Sequence, residues 1–301
     1  MDKKNILLVG ANGYIGSRFL ERSNKKYNIT SIDNLLKPGH LPSDIENKDY
    51  RDLDREYLKQ FEVCVWLAGH SSVPSSINDP HGAYSNNYSG LVELTNKFDG
   101  LLIYASSASV YNNEAGAICS ESTQIGDPDN IYDFTKVAFD SYVQIMDKNY
   151  VALRFGTVDG GSPRIREELL LNRMIKDAMS SGIVNLANPT ANRAVLYIED
   201  LIDALELLLD NPPKKSEIYN LSSINGNMEI FVNTVAKKFN AKINLLENSN
   251  TYNFQMTTEK FSKHYSYRFT DDLDKLIDNI ILFYKEKYNL WATHYWSIPS
   301  M

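Results

Sequence analysis

Seven residues near the amino terminus constrain the fold most: Gly10-Ala11-Asn12-Gly13-Tyr14-Ile15-Gly16. They follow a short apolar run at 6–9 and open an amphipathic stretch at 14–23, so the glycines fall where a buried strand turns into a helix. Glycine at such a turn lets the backbone come close to a ligand, and the free N–H groups of the first helical turn attract a pyrophosphate. The pattern predicts a βαβ unit that holds a dinucleotide against Gly10, Asn12, Gly13, Tyr14, Ile15 and Gly16. Asp33 closes the next apolar run about 20 residues on, where a carboxylate accepts hydrogen bonds from a ribose with free hydroxyls. It would repel a 2′-phosphate, and Asn34-Leu35-Leu36 offers no arginine to hold one; Lys37 is the nearest cation. NAD is therefore the expected cofactor.

The alternation continues. Strands are expected at 28–32, 63–67, 101–104 and 150–155, with helices at 83–98 and 132–146 between them. Short strands separated by helices predict an α/β fold, a doubly wound parallel sheet of the Rossmann kind over residues 1–155. The Gly160-Gly161-Ser162-Pro163 turn breaks the rhythm, and helices at 165–180, 198–209 and 272–287 mark a smaller α+β lobe for substrate over 156–301. With 43% apolar and 23% charged residues the chain has the composition of an ordinary folded protein. A formal charge of −7 without a basic cluster argues against nucleic acid as a partner. Cys64 and Cys119 make neither a disulfide framework nor a metal-binding spacing, and no apolar run reaches the roughly 18 residues of a membrane span. The expectation is a soluble, cytoplasmic protein.

Chemistry enters with Tyr132-Asp133-Phe134-Thr135-Lys136, which sets a phenol and an ammonium one helical turn apart on the same face. A tyrosine is a poor base at neutral pH, and a lysine charge with a nicotinamide charge nearby is expected to lower its pKa. The pair follows Tyr104-Ala105-Ser106-Ser107-Ala108-Ser109-Val110-Tyr111, a strand ending in hydroxyls at the edge where such sheets bind ligands. Together with the glycine-rich turn, Asp52-Leu53, Leu67-Ala68-Gly69, Val73-Pro74 with Ser76, and Asn87 with Gly90, these residues resemble the extended short-chain dehydrogenase family of sugar-nucleotide epimerases and dehydratases.

That resemblance implies roles. Tyr132, Lys136 and Ser107 become the catalytic set, Ser107 bonding the reacting sugar oxygen, with Ser106 as its neighbouring hydroxyl. Asp52 would meet the adenine, Ala68 and Gly69 would line the nicotinamide side, Lys136 would hold the nicotinamide ribose, and Asn34, Leu53, Leu67, Asn87 and Tyr132 would also bind the cofactor. On the substrate side it implies Ser76, Ser107, Thr157, Asn172 and Arg193, the last gripping a diphosphate as guanidinium does through paired hydrogen bonds. Leu153-Arg154-Phe155 and Arg166 belong to the same resemblance. It also implies a homodimer formed through the helices at 83–98 and 132–146.

Family dehydratases carry an Asp-Glu pair directly after the hydroxyl, and decarboxylating members a glutamate; here Ala108 and Ser109 stand there. The pattern looks most like an NAD-dependent C4 epimerase of a nucleotide sugar, passing through a 4-keto intermediate. A 4-keto nucleotide-sugar reductase would use the same residues, and a non-catalytic NAD-binding regulator is the third reading. Thr157 stands where many relatives have asparagine, Asn112 replaces a glycine, and no counterpart of a nucleotide-holding Asp-Arg segment occurs near Tyr252, with Arg268 left unplaced. Of the histidines only His70 has a positional argument, as a neighbour of the site; His40, His81, His264 and His294 are scattered. Trp291, Tyr295 and Trp296 are expected to pack on the body or on a second subunit.

Overall fold

The computed structural model describes residues 3–34, 42–111 and 116–287. Lys37, His40, Asn112, Trp291, His294, Tyr295 and Trp296 lie outside them. The strands of the first half are β1 (Asn5–Val9), β2 (Asn28–Asp33), β3 (Ile45–Asn47), β4 (Val63–Trp66), β5 (Leu101–Ser107), β6 (Ile118–Cys119) and β7 (Tyr150–Phe155). Those of the second are β8 (Thr157–Asp159), β9 (Ile183–Leu186), β10 (Asn192–Tyr197), β11 (Glu217–Leu221), β12 (Ile224–Asn227), β13 (Lys242–Leu245) and β14 (Gln255–Met256).

Seven of them form one parallel sheet in the order β11-β7-β5-β4-β1-β2-β3. The chain leaves β1 toward β2 on one side and resumes at β4 on the other, which makes the carboxyl ends of β1 and β4 the switch point where such sheets leave a crevice. Both faces are covered, as the strands require: along β1, Ile6 and Leu8 enter one apolar core while Leu7 and Val9 enter the other. At the turn after β1, Gly10 has φ +87°, and a Cβ there would sit 2.6 Å from Ala68 N. A Cβ on Gly16 would lie 2.2 Å from Gly10 O, so the Tyr14–Ser23 helix can start this close to the strand only with glycine.

The second half builds two small sheets, β12-β10-β8 and β13-β9, and its β14 pairs with β6 of the first half. It also returns to the first half: β11, from within 156–301, pairs with β7 at the edge of the central sheet. The Ile198–Asp210 helix lies on the Tyr14–Ser23 helix, joined by Arg18 to Glu199 at 2.7 Å and by Arg22 to Asp203.

Two helices differ from the sequence expectation, each for a local reason. The stretch at 83–98 is a short helix Pro80–Tyr84, a π turn Ser85–Ser89 and a helix Gly90–Lys97. Its extra residue turns Asn86 and Asn87 inward, both buried. The helix expected at 165–180 begins only at Leu170, because Asp159 Oδ1 accepts the N–H groups of Leu171 and Asn172 at 2.9 and 3.1 Å and fixes the first turn there. Among the described residues no helix is long and apolar enough to cross a membrane.

Candidate active site

Two adjoining cavities open at the carboxyl edge of the central sheet, a larger one of about 570 Å³ and a smaller one of about 140 Å³. Tyr14, Ile15, Leu67, Ala68, Ser71 and Arg166 line both. Gly10, Asn12, Gly13, Asp33, Asn34 and Gly69 line the smaller one, and Gly16 lies behind it in the turn. Asp33 Oδ2 accepts the Asn12 N–H at 3.0 Å, so the carboxylate at the end of β2 also braces the glycine turn.

The larger cavity brings Ser107, Tyr132, Lys136, Thr157 and Arg193 to one wall system. The Ile131–Ile145 helix carries Tyr132 and Lys136 one turn apart; its start is fixed by Asn130, whose side chain accepts the Asp133 N–H at 3.0 Å. Lys136 Nζ donates to the Ala105 carbonyl at 2.8 Å and stands 5.7 Å from the Tyr132 ring centroid. Ser107 ends β5, and its Oγ accepts the Ser109 N–H at 3.1 Å.

Electrostatics in the protein alone differ from the sequence expectation. Burial raises the Tyr132 pKa, against a hydrogen bond with Ser107 and the charge of Arg166 that pull it down. Lys136 pays for its own burial: its pKa falls to about 8, with Asp140 opposing the fall. The lysine charge therefore does not outweigh desolvation at the phenol.

Arg193 donates to Thr157 Oγ1 at 3.1 Å and Thr251 Oγ1 at 3.2 Å, with its guanidinium 5.9 Å from the Tyr252 ring centroid. Burial lowers its pKa while Asp159 and Tyr252 support its charge. Tyr252 donates to Asp133 Oδ1 at 2.9 Å, which ties the second half of the chain to the start of the Tyr132 helix.

Five expected residues fall away from the cavities: Asp52, Leu53, Ser76, Asn172 and Asn87. Asp52 is exposed at the end of a 3-10 turn and Leu53 packs into the core at 5% exposure; Tyr50, two residues before Asp52, lines the smaller cavity instead. Ser76 is wholly buried on the inner face of the Val73–Asn78 helix, whose first turn, Val73 and Pro74, meets the cavity. Asn172 is also fully buried: it accepts Gly160 N–H at 3.1 Å and donates to Tyr14 Oη at 3.3 Å and Arg166 O at 3.0 Å, locking the segment between β8 and the next helix. Asn87 lies beneath the wall, not in it; its amide takes the His70 N–H at 2.8 Å and returns a bond to His70 O at 2.9 Å.

Other residues, which the sequence placed only near the site, line the cavities as well. Arg166 spans the two cavities and donates to Ser71 Oγ at 3.0 Å, and Ser71 and Ser72 form the wall expected of Ser76. His70 lines the larger cavity, its Nε2 3.1 Å from Asp79 Oδ2. Arg268 is exposed and paired with Asp271 at 2.6 Å, away from the site.

A profile of the NAD dependent epimerase/dehydratase family matches residues 6–222. The chain belongs to that family. It is 27% identical over 267 residues to a UDP-glucose 4-epimerase of Lactobacillus helveticus, covering 77% of this chain and 81% of that protein. It is 28% identical over 244 residues to an ADP-L-glycero-D-manno-heptose-6-epimerase of Cupriavidus pinatubonensis, covering 72% of each. Among solved structures it resembles the UDP-glucuronic acid 4-epimerase of Bacillus cereus, solved with UDP-glucuronic acid and NAD. The TM-score is 0.81 at 22% identity, over 94% of this chain and 100% of that one, a likeness of fold.

Proposed function

We propose that the protein is an NAD-dependent 4-epimerase of a nucleotide sugar, with Tyr132 as acid and base and Ser107 and Lys136 as its partners. The observation that carries this reading is the meeting of these three side chains at one cavity, with Ala108 and Ser109, not an acidic pair, next to Ser107. Elimination then lacks a catalyst at that position, while proton transfer at a sugar hydroxyl has one.

The smaller cavity suits NAD. Its floor is a glycine turn too tight for side chains, and Asp33 offers a carboxylate at the strand end where a ribose is held. When bound, NAD supplies a hydride acceptor and donor. Tyr132 takes the proton of the sugar 4-hydroxyl while Ser107 hydrogen-bonds the same oxygen, and Lys136 holds a ribose hydroxyl and favours the phenolate. Since burial keeps the phenol protonated in the protein alone, its strength as a base depends on positive charge gathered around it. Arg193, backed by Thr157 and Thr251, is the group for the diphosphate.

The same reading includes a homodimer through the helices of 80–97 and 131–145, supported by the exposure of Tyr84, Phe134 and Ile145 and testable by light scattering. Proton NMR of the anomeric region tests the chemistry, with UDP-, GDP-, CDP- and dTDP-hexoses and catalytic NAD⁺. A new sugar stereoisomer without net NADH is the expected result. No conversion of any of them, with turnover of a 4-keto nucleotide sugar and NADH instead, would replace the epimerase with a reductase.

A further inference from the structure

Behind Lys136 lies a set of buried polar side chains that the chemistry above does not use. Asp140 is one turn further along the Ile131–Ile145 helix and 0% exposed, and Arg154, next to the carboxyl end of β7, is 2% exposed. Arg154 Nε donates to Asp140 Oδ2 at 3.0 Å and Tyr104 Oη donates to Asp140 Oδ1 at 2.7 Å, so each carboxylate oxygen has a donor. Arg154 Nη1 also donates to Tyr111 Oη at 2.7 Å, which in turn donates to Asn220 Oδ1 at 2.9 Å.

Joining a helix to a strand does not require this. Well-packed apolar side chains of similar volume commonly do it as well or better, because a buried ion pair must offset the desolvation of both charges. Placement suggests another use. Positions 136 and 140 are four apart on one helix, so their side chains share a face. Lys136 is itself only 7% exposed, with the Ala105 carbonyl as its hydrogen-bond acceptor and the Trp66 ring centroid 5.5 Å away.

Nearby titratable groups are Tyr132 on the same helix, Tyr104 on β5, Tyr111 after it, and Tyr150 and Arg154 on β7. The tyrosines are held neutral by burial, and Arg154 is engaged with Asp140 and Tyr111. Against the desolvation that drives the lysine pKa down to about 8, Asp140 is the opposing charge.

We infer that Asp140 is a positioning residue: its carboxylate, held by Tyr104 and Arg154 one helical turn beyond Lys136, favours the ammonium form of that buried lysine. The inference rests on Tyr132 and Lys136 being the reacting pair, but its test needs no substrate. Protein labelled with ¹³C at lysine Cε is titrated by NMR without ligands, and the Lys136 signal is identified by its loss in Lys136→Met. Asp140→Asn should move the midpoint down by about one pH unit or more, the usual effect of removing a neighbouring opposite charge, and Asp140→Glu should restore most of it.

Because Asp140→Asn strands a buried guanidinium, the double variant Asp140→Asn/Arg154→Met is titrated beside it, with folding checked by circular dichroism. It should show a smaller fall of the same sign, since a cation leaves together with the anion. A Lys136 midpoint that stays in place or rises in the folded variants would make the network a structural tie and overturn the inference. That outcome would leave the epimerase reading untouched, since the sugar-NMR assay decides it separately.

Discussion

Lys136 should destabilise the protein that carries it. Folded, it gives up its proton near pH 8, against an ordinary 10.5. At 1.36 kcal/mol per pH unit that difference corresponds to about 3 kcal/mol of cost for burying the charge. The side chain is 7% exposed, so solvent screening removes little of this. Lys136→Met keeps the length and removes the charge, but also loses the 2.8 Å bond to the Ala105 carbonyl, worth about 1 kcal/mol. The ligand-free variant should therefore be more stable at pH 7 by about 2 kcal/mol. The sign of the pH dependence follows from proton binding. Between pH 8 and 10.5 the unfolded chain binds more protons at this residue than the folded one, so wild-type stability rises with pH in that window. Below pH 8 the full cost is present. The variant's advantage should therefore shrink across the window and vanish or reverse above it. Urea unfolding of both proteins at pH 7 and pH 10 measures this. A variant less stable at pH 7, or an advantage equal at both pH values, would refute the argument that burial dominates at this lysine.

Tyr132→Phe should bind NADH with wild-type affinity by fluorescence titration and lose about 10²- to 10⁴-fold in turnover, the usual contribution of a general acid and base. Unchanged turnover would remove the phenol from the chemistry. Arg193→Lys should raise KM for the nucleotide sugar about tenfold or more with little change in NAD affinity, since an ammonium cannot make the paired phosphate contacts of a guanidinium. Equal losses of both affinities would assign Arg193 to general folding. Tyr252→Phe removes the 2.9 Å bond to Asp133 and should cost about 1 kcal/mol in urea unfolding; no loss would mean that the link between the two halves does not contribute to stability.

The part of the site legible in the sequence is the part built from local chain. The glycine turn, Asp33, Ser107 and the Tyr132–Lys136 pair each sit at the end of a strand or on one helix, so spacing and period place them. Ser76 and Asn172 are polar residues on short or late-starting helices, and which face turns inward depends on where the helix begins. The Asp159 cap that starts one of them at Leu170 has no signature in spacing. Asp52 shows the limit of a short motif: a three-residue turn is enough to exchange Asp52 for Tyr50 at the cavity. The fold was readable for the parallel strands because burial on both faces writes continuous apolar runs, as in the fully buried β4. β11 was not readable as their neighbour, since its pairing with β7, Glu217 beside Val151, depends on the return of the chain through the Ile198–Asp210 helix and leaves no periodic trace.

Those long-range returns matter for the chemistry. Tyr252 reaches the cavity from 119 residues beyond Asp133 in the chain, yet it hydrogen-bonds that residue, directly after Tyr132. Asp133 carries a pKa raised by burial, against hydrogen bonds that favour its charge, among them that from Tyr252. The same Tyr252 ring lies near the Arg193 guanidinium, so one aromatic residue contacts both the group proposed for the diphosphate and the start of the helix proposed for proton transfer. A ligand that shifts Arg193 must then either carry Tyr252 with it, weakening the Asp133 bond, or lose the ring contact. In the first case occupation of the diphosphate end is felt at the first turn that orients Tyr132, a coupling that the glycine turn and the Tyr-Lys pair do not provide on their own.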